Sequence, residues 1–355
     1  MIHLSNIEAP LLSWYQSNAR DLPWRHTRDP YKIWVSEIML QQTRVEAVKP
    51  YYARFLSALP DVYALANTPE EQLLKLWEGL GYYSRVRNMQ RTAQTIVECY
   101  NGQFPADLSK LQKLPGIGEY TAGAIASIAF GISAPAVDGN VMRVLARLIG
   151  DKRNIFDPIL KKEYAKMLVP YVSRLDPSSY NQGLIELGAT VCLPKGSARC
   201  EQCPLANHCQ AYLQKMVDSI PSPKPQKPRK IELRTVLILR SYKEVLVEKR
   251  PSKGLLAGLW QLPSMDGHCS ETDVLAYAQA LDLDVVRIDP LPAAKHIFTH
   301  IEWHMIGYQL SLSALSEIPN GMVSASLESL EADFPLPSAF SAYLPYLQKK
   351  KQNKN

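Results

Sequence analysis

The sequence predicts a multi-domain protein in which an all-α domain precedes a smaller α/β domain. Three observations support this. Helix-length segments fill residues 1 to about 215, a segment with four prolines and four basic residues follows at 221–230, and strand-like apolar runs come after it. We therefore predict four parts, which are the α-helical domain at 1–215, a linker at 216–230, an α/β domain at 231–347 and a polar tail at 348–355.

Helices of ordinary length account for most of the first domain. We predict them at 31–58, 70–80, 86–100 and 139–148. The longest apolar stretch, 121–137, contains Gly and Pro and is shorter than the ~20 apolar residues that a membrane span requires. It therefore predicts a buried helix, and with no signal peptide at the N-terminus we expect a soluble, cytoplasmic protein.

A tight turn at Leu114-Pro115-Gly116-Ile117-Gly118 separates two helical patterns. Glycines in such a turn allow close approach of the backbone to a ligand. The next helix is predicted to start near Glu119, and free N–H groups at a helix start bind phosphate well. Gly116 and Gly118 are therefore candidate phosphate-binding residues.

Cysteines are clustered at 192–209 in the spacing C-x7-C-x2-C-x5-C. With six Cys in 355 residues, the chain is too poor in cysteine for a fold built on disulfides. Four thiolates in a short loop suit a four-iron cluster or tetrahedral zinc, and the single C-x2-C pair favours the cluster. Cys192, Cys200, Cys203 and Cys209 are the candidate ligands. Cys99 and Cys269 stand alone, and we expect both to be buried.

Two carboxyl groups are candidates for catalysis. Glu37 follows Trp34-Val35-Ser36 and has apolar neighbours on a predicted helix, so burial should raise its proton affinity. The alternative is a Glu that reaches solvent or pairs with Arg44. Asp138 precedes Gly139-Asn140 and is either a catalytic carboxylate or the N-cap of the next helix.

These segments, together with Leu22-Pro23-Trp24-Arg25 and Gly79-Leu80-Gly81-Tyr82-Tyr83-Ser84-Arg85, occur in one order along the chain. The order resembles that of the adenine DNA glycosylases of the MutY type, which belong to the helix-hairpin-helix glycosylases. The resemblance implies an all-α helix-hairpin-helix glycosylase core with a [4Fe-4S] cluster loop. The part after residue 231 is similar to Nudix hydrolases, so the fold class implied for it is an α/β Nudix-like domain.

The resemblance also implies chemistry for particular residues. Glu37 would protonate adenine as it leaves, Asp138 would stabilise the cationic sugar, and Tyr120 and Asn140 would organise this pair. Arg25 and Gln182 match positions beside the flipped adenine. Residues implied to wedge into DNA or contact the lesion are Gln42, Thr43, Tyr82, Phe298, Thr299 and His300.

Four departures from the family pattern qualify these expectations. Tyr120 stands where strand-cleaving relatives carry a lysine, so we expect no strong cleavage of abasic DNA. The first cysteine gap is seven residues where six is typical, which leaves open whether Lys195 or Arg199 meets DNA. Residues 253–263 resemble a Nudix segment, but the acidic magnesium-binding helix is missing after them. Phe298-Thr299-His300 stands in the place of the family's Phe-Ser-His loop.

In the second domain we predict paired strands at 235–239 and 244–249, a helix within 264–281 and a strand at 303–312. The chain carries 40 Lys and Arg against 34 Asp and Glu, a net charge of +6 that permits a polyanionic partner.

The predicted substrate is double-stranded DNA with adenine opposite 8-oxoguanine or guanine. We expect a monomer that associates with the bacterial nucleoid. Two other functions remain open, a thymine or oxidised-pyrimidine glycosylase and a non-catalytic iron–sulfur DNA-binding or scaffold protein. Glu37 and the C-terminal domain argue against the first, and the pairing of Glu37 with Asp138 argues against the second.

Overall fold

The chain folds into a mainly helical unit and a unit built on a mixed sheet. The computed structural model describes residues 4–194, 196–223, 228–242, 244–313, 315 and 317–347. One compact unit comprises Met1–Thr68 with Ser84–Pro225, and the other comprises Pro69–Tyr83 with Gln226–Asn355. Lys195, part of the linker at 224–227 and the polar tail at 348–355 lie outside the described residues.

The α-helices of the first 215 residues are α1 (Glu8–Asn18), α2 (Pro30–Leu40), α3 (Val45–Ala58), α4 (Val62–Asn67), α5 (Glu70–Leu76), α6 (Ser84–Tyr100), α7 (Leu108–Gln112), α8 (Glu119–Phe130), α9 (Gly139–Ile149), α10 (Pro158–Leu168), α11 (Pro177–Thr190) and α12 (Gln210–Leu213). Of these, α5 falls in the second unit. A hydrophobic core joins α1, α9, α10 and α11 through Leu11, Leu145, Tyr164 and Leu184.

The predicted helix at 31–58 is wrong, because two helices, α2 and α3, occupy this stretch. The chain leaves α2 at Gln41, and Gln42 adopts the left-handed conformation with φ 59°. Neither Gly nor Pro marks this turn. The predicted helix at 70–80 is also too long, since α5 ends at Leu76. The helix start at Glu119 and the helix at 139–148 are confirmed.

The second unit contains the strands β1 (Lys230–Ser241), β2 (Glu244–Lys249), β3 (Trp260–Gln261), β4 (Ser264–Asp266), β5 (Val285–Ile297), β6 (Ile301–Leu312) and β7 (Met322–Ser326), with helices α13 (Glu271–Ala280) and α14 (Leu327–Asp333). The sheet order is β3-β2-β1-β6-β5, with β4 beside β1 and β7 beside β2. The predicted strands and the helix within 264–281 are confirmed. β1 pairs antiparallel with β2 and parallel with β6.

Both faces of β1 are buried. Val236 and Ile238 belong to one hydrophobic cluster, whereas Leu237 and Leu239 belong to another that includes Val274 of α13. Side chains alternate across a strand, so a central strand covered on both faces has a continuous apolar sequence. This explains the run Thr235-Val236-Leu237-Ile238-Leu239.

The first unit continues beyond the predicted start of the linker at residue 216. Ile220 is buried in its core, and the Ile220 carbonyl accepts a hydrogen bond from Arg147 Nε (2.9 Å). The Ser222 hydroxyl donates to the Lys152 carbonyl. Two expectations about single cysteines also need correction, since Cys99 is exposed in the last turn of α6 and Cys269 is half-buried. None of the described helices is long and apolar enough to cross a membrane.

Candidate active site

One cavity of about 690 Å³ in the first unit brings together most of the predicted site residues. It is bordered by the end of α2, the α7–α8 turn and the starts of α8 and α9, with α11 on another side. The predicted residues that line it are Arg25, Glu37, Gln42, Thr43, Gly116, Gly118, Tyr120, Asp138, Asn140 and Gln182. Segments far apart in the chain therefore converge on a single space.

Glu37 lies three residues before the end of α2 and is only 7% exposed. Its Oε2 accepts a hydrogen bond from the Tyr120 hydroxyl at 2.5 Å. The pKa of Glu37 is raised to about 7, mainly by burial and to a smaller extent by the charge of Asp138, while Tyr120 and Arg25 act in the opposite direction. The alternative of a solvent-facing Glu37 is therefore wrong. Burial also raises the pKa of the Tyr120 phenol well above its ordinary value.

Asp138 is the N-cap of α9, and it also faces the cavity. Its Oδ1 accepts from the Val141 backbone N–H (2.8 Å), and its Oδ2 accepts from Asn140 Nδ2 (2.9 Å). Burial raises the pKa of Asp138, whereas these two hydrogen bonds and Arg143 favour the ionised form and limit the rise. The capping interpretation and the catalytic interpretation of Asp138 are thus compatible in one geometry.

Asn140 is itself held in place by a neighbouring arginine. Arg143 Nη2 donates to Asn140 Oδ1 (3.0 Å) and to the Gly188 carbonyl (2.7 Å), and Arg143 Nε donates to the Cys192 carbonyl (2.8 Å). At Gly188, a Cβ atom would lie 2.6 Å from Asn140 Cβ. Glycine is therefore required for α11 to pack this closely against the start of α9.

An ion-pair network around the buried Glu186, which lines the same cavity, was not predicted. Glu186 on α11 is fully buried, and its carboxylate accepts from Arg20 Nε and Arg25 Nη2, each at 2.6 Å. Burial alone would raise the pKa of Glu186, but the hydrogen bonds from Arg20 and Arg25 hold it below its ordinary value. Glu186 thereby fixes the guanidinium of Arg25 at the cavity wall. The signal in the sequence is a charged residue among apolar neighbours, Leu184-Ile185-Glu186-Leu187.

The four clustered cysteines surround a second, small cavity. Cys192, Cys200, Cys203 and Cys209 line it together with Arg147, and all four thiols are free. Arg147 Nη1 donates to Cys192 Sγ (3.3 Å). In the described part of the chain, no three His, Cys, Asp or Glu side chains converge closely enough to hold one metal ion.

Sequence comparisons identify both domains. Residues 35–169 match the HhH-GPD superfamily of base excision DNA repair proteins, and residues 235–346 match the NUDIX domain. The chain is 34% identical to the adenine DNA glycosylase of Buchnera aphidicola subsp. Baizongia pistaciae (strain Bp), over 87% of this chain and 87% of the relative. It is 33% identical to the Homo sapiens adenine DNA glycosylase, over 87% of this chain and 67% of the relative.

The chain belongs to the adenine DNA glycosylase family. It is therefore an enzyme of base excision repair that hydrolyses N-glycosidic bonds. The helical unit has the fold of solved glycosylase structures. A thermostable thymine-DNA glycosylase gives a TM-score of 0.55 at 28% identity, covering 59% of this chain and 97% of that one. A non-covalent endonuclease III–DNA complex gives 0.51 at 26%, covering 61% and 99%.

In the glycosylase, the proposed phosphate-binding turn contains two glycines, Gly116 and Gly118, in different surroundings. Gly118 is the N-cap of α8, has no side chain to cap the first N–H groups, and leaves open space where a Cβ would be. Gly116 has φ 73° and packs against Asn88, so a Cβ there would lie 2.8 Å from Asn88 Cβ. Gly116 is thus required by its left-handed φ and its contact with Asn88, whereas Gly118 has an extended conformation with room for a side chain, and its lack of one leaves the helix start accessible from the cavity.

The remaining predicted residues lie in the second unit. Phe298, Thr299 and His300 form the turn between β5 and β6, where Phe298 N–H donates to the Ile301 carbonyl (2.8 Å). The Phe298 ring packs on Trp303, with ring centroids 5.0 Å apart, so it supports the turn from inside. Thr299 and His300 are exposed. Tyr82, which is 47% exposed, has its hydroxyl 2.7 Å from Thr299 Oγ1.

Proposed function

We propose that the enzyme excises adenine mispaired with 8-oxoguanine or guanine in double-stranded DNA. The observation that carries the proposal is the pair of carboxyl groups in one cavity, Glu37 with a pKa of about 7 and Asp138 with hydrogen bonds that favour its ionised form. Glycosidic hydrolysis requires one protonated and one ionised carboxyl group at the same pH. Relatives named adenine DNA glycosylase support adenine as the base.

Glu37 supplies the proton in this mechanism. Tyr120 donates to Oε2, so the second carboxyl oxygen of Glu37 is available to carry a proton toward the adenine N7. Protonation makes adenine a neutral leaving group, and the emptied carboxylate can then orient the attacking water. Arg25 and Gln182 hold the base from the cavity wall, and the Gln182 amide is steadied by Ser178 Oγ (3.0 Å).

Asp138 acts on the sugar. Positive charge develops on the sugar as the bond to adenine breaks, and an ionised carboxylate facing the same cavity stabilises it. The N–H of Val141 and the amide of Asn140 fix the carboxylate orientation before the reaction starts. Groups that are already oriented in this way need no rearrangement in the transition state. Asn140, and Arg143 which holds it, therefore support catalysis by keeping Asp138 in position.

The cysteine loop fits a [4Fe-4S] cluster better than one zinc ion. Four thiolates around one zinc at about 2.3 Å would have to lie very close together, whereas the sulfurs of a four-iron cluster are spread over four irons. The four free thiols around one small cavity support this proposal. When bound, the cluster serves as a structural cross-link of residues 192–209, and hydrolysis needs no step on it.

Glu37→Gln tests the proposal. Glutamine keeps the size of the side chain but cannot donate a proton, so we expect single-turnover excision of adenine opposite 8-oxoguanine to fall by at least ~10²–10⁴-fold, with DNA binding retained. Asp138→Asn is the companion variant. A duplex with A opposite T tests whether excision requires a mispair, and a duplex with G opposite T tests for excision of thymine. Near-normal excision by Glu37→Gln, or preferred release of thymine, would contradict the proposal.

The glycosylase should not cleave the DNA strand. Tyr120 carries no amine, so no imine can form with the abasic sugar at this position. We expect borohydride to trap no stoichiometric, kinetically competent adduct between protein and DNA. Efficient trapping on the timescale of excision would contradict this prediction, because a lysine elsewhere in the chain would then form the imine.

A further inference from the structure

The first turns of α6 contact both loops that border the catalytic cavity. Arg85 Nη1 donates to three carbonyl oxygens at the end of α2, those of Ile38 (2.6 Å), Gln41 (2.7 Å) and Met39 (3.3 Å). Further along α6, Asn88 packs on Gly116 and the Thr92 hydroxyl donates to the Pro115 carbonyl. The α2 exit and the α7–α8 turn thus share one support.

The contacts of Arg85 explain the turn that the sequence does not signal. The last carbonyls of a helix have no partners within the helix and carry partial negative charge. A guanidinium offers fixed positive charge and directed donors to several of them at once. Gln41 leaves α2 in extended conformation and Gln42 is left-handed at φ 59°, and neither Gly nor Pro imposes this path.

We propose that Arg85 is a positioning residue for base excision, which fixes the last turn of α2 and the turn after it so that Glu37 stays buried at the cavity. This inference rests on the proposed role of Glu37. The carbonyl of Ile38, which follows Glu37 directly, makes the shortest contact with Arg85. Gln41, whose carbonyl contacts the same guanidinium, and the following Gln42 and Thr43 form a wall of the cavity that contains the carboxyl group.

The expected consequence of losing this guanidinium is a looser cavity wall. Water would then reach Glu37, and its protonated form would become less favoured. The groups that face Glu37, which are Tyr120, Asp138 and Arg25, lie on other segments and would remain in place. A displacement of about 1 Å in a catalytic group can cost about 100-fold in rate.

Arg85→Ala, Arg85→Lys and Arg91→Ala, all on α6, provide the test. Arg91 is an exposed residue on the same helix, so its variant controls for the loss of one positive charge. For each full-length protein, single-turnover excision of adenine opposite 8-oxoguanine is measured at saturating enzyme across pH, with urea unfolding and DNA affinity. We expect Arg85→Ala to slow excision by about 10–100-fold, and to move the high-pH limb of the rate profile to lower pH.

Rescue distinguishes positioning from general destabilisation. Lysine also donates to carbonyl oxygens, so Arg85→Lys should recover most of the rate and the wild-type position of the high-pH limb, while Arg91→Ala changes neither. An Arg85→Ala protein with the wild-type rate and profile would overturn the inference. So would a slow Arg85→Ala protein whose limb is unmoved and which Arg85→Lys fails to rescue. Glu37→Gln is assayed in parallel, because its activity alone decides the proposed function.

Discussion

Glu37 is buried and Asp138 is half-buried, and the hydrogen bonds to the two carboxyl groups differ. Glu37 accepts one hydrogen bond, from a phenol, whereas Asp138 accepts two, from a backbone N–H and an amide. Donors to a carboxylate favour its ionised form, so the surroundings retain charge better on Asp138 than on Glu37. The proposed roles of Glu37 as proton donor and Asp138 as anion thus depend on single neighbouring residues.

The pH dependence of excision should show this division. Protonated Glu37 is lost as pH rises through about 7, so above that pH the single-turnover rate should fall about tenfold per pH unit. The rate should also fall at low pH as Asp138 becomes protonated. Asn140→Ala removes a donor to the ionised form, which raises the pKa of Asp138 and should move the low-pH limb to higher pH. An unmoved limb would show that Asp138 does not control it.

The raised pKa of Glu37 should also lower the free energy of unfolding at neutral and higher pH. Its pKa is raised from 4.5 to about 7 on folding, so the unfolded state releases the proton first, and stability falls as pH rises across that interval and stays low above it. Glu37→Gln removes this loss, and above pH 7 the variant should be more stable by roughly 3 kcal/mol. Urea unfolding near pH 5 and near pH 8.5 checks this. A gain of equal size at both values would point to a cause other than the buried charge.

At the scale of elements, the cysteine loop is the part whose fold should depend on metal. Cys203→Ser should lower the iron content from about four atoms per chain and weaken DNA binding, because metal binding and the folding of a ligand loop are linked. Cys99→Ser is the matched control, since Cys99 is exposed on α6, and it should change neither property. Iron analysis and the visible absorption of anaerobically purified protein are the measurements. Stoichiometric zinc without iron would contradict the cluster.

The sequence predicts individual elements better than the contacts between them. The α9 boundary and the strands of the sheet follow from apolar periodicity, and Glu37, Asp138 and the cysteines follow from local motifs. The α2–α3 turn and the Glu186 network do not, since each depends on a partner far along the chain, Arg85 for the turn and Arg20 for Glu186. Such partners carry no local signal, although a charged residue in an apolar helix is a hint.

At the scale of the whole molecule, the domain boundary is discontinuous. Residues 69–83 precede α6 in sequence but cluster with the second unit, where Glu71 pairs with Lys249 (3.1 Å) and Glu78 Oε1 accepts from the Leu336 N–H (2.9 Å). Tyr82, at the end of this segment, contacts Thr299 of the same unit. A division at the proline-rich linker alone misses this segment, because linear composition does not report which unit a short helix packs on.

The β5–β6 turn allows lesion reading to be tested without disturbing the fold of the second unit. Backbone hydrogen bonds hold the turn, from Phe298 N–H to the Ile301 carbonyl and from Lys230 N–H to the His300 carbonyl (3.0 Å). Neither needs the exposed side chains of Thr299 and His300. Replacing both by Ala should therefore remove polar groups that can bind the edge of 8-oxoguanine and leave the turn intact, whereas Phe298→Ala would remove packing on Trp303.

We expect the Thr299→Ala, His300→Ala double variant to lose ~1–3 kcal/mol of preference for 8-oxoguanine over guanine opposite adenine, the usual scale of contacts to base edges. Thr299→Ser keeps the hydroxyl and serves as the control, with a preference close to that of the wild type. The affinity of each protein for the two duplexes is measured, and the ratio of the two affinities gives the preference directly. Thr299 Oγ1 lies 2.7 Å from the Tyr82 hydroxyl, and a threonine hydroxyl that shares one hydrogen bond can still form another with the edge of a base. A double variant with an unchanged ratio would exclude this turn as the lesion reader.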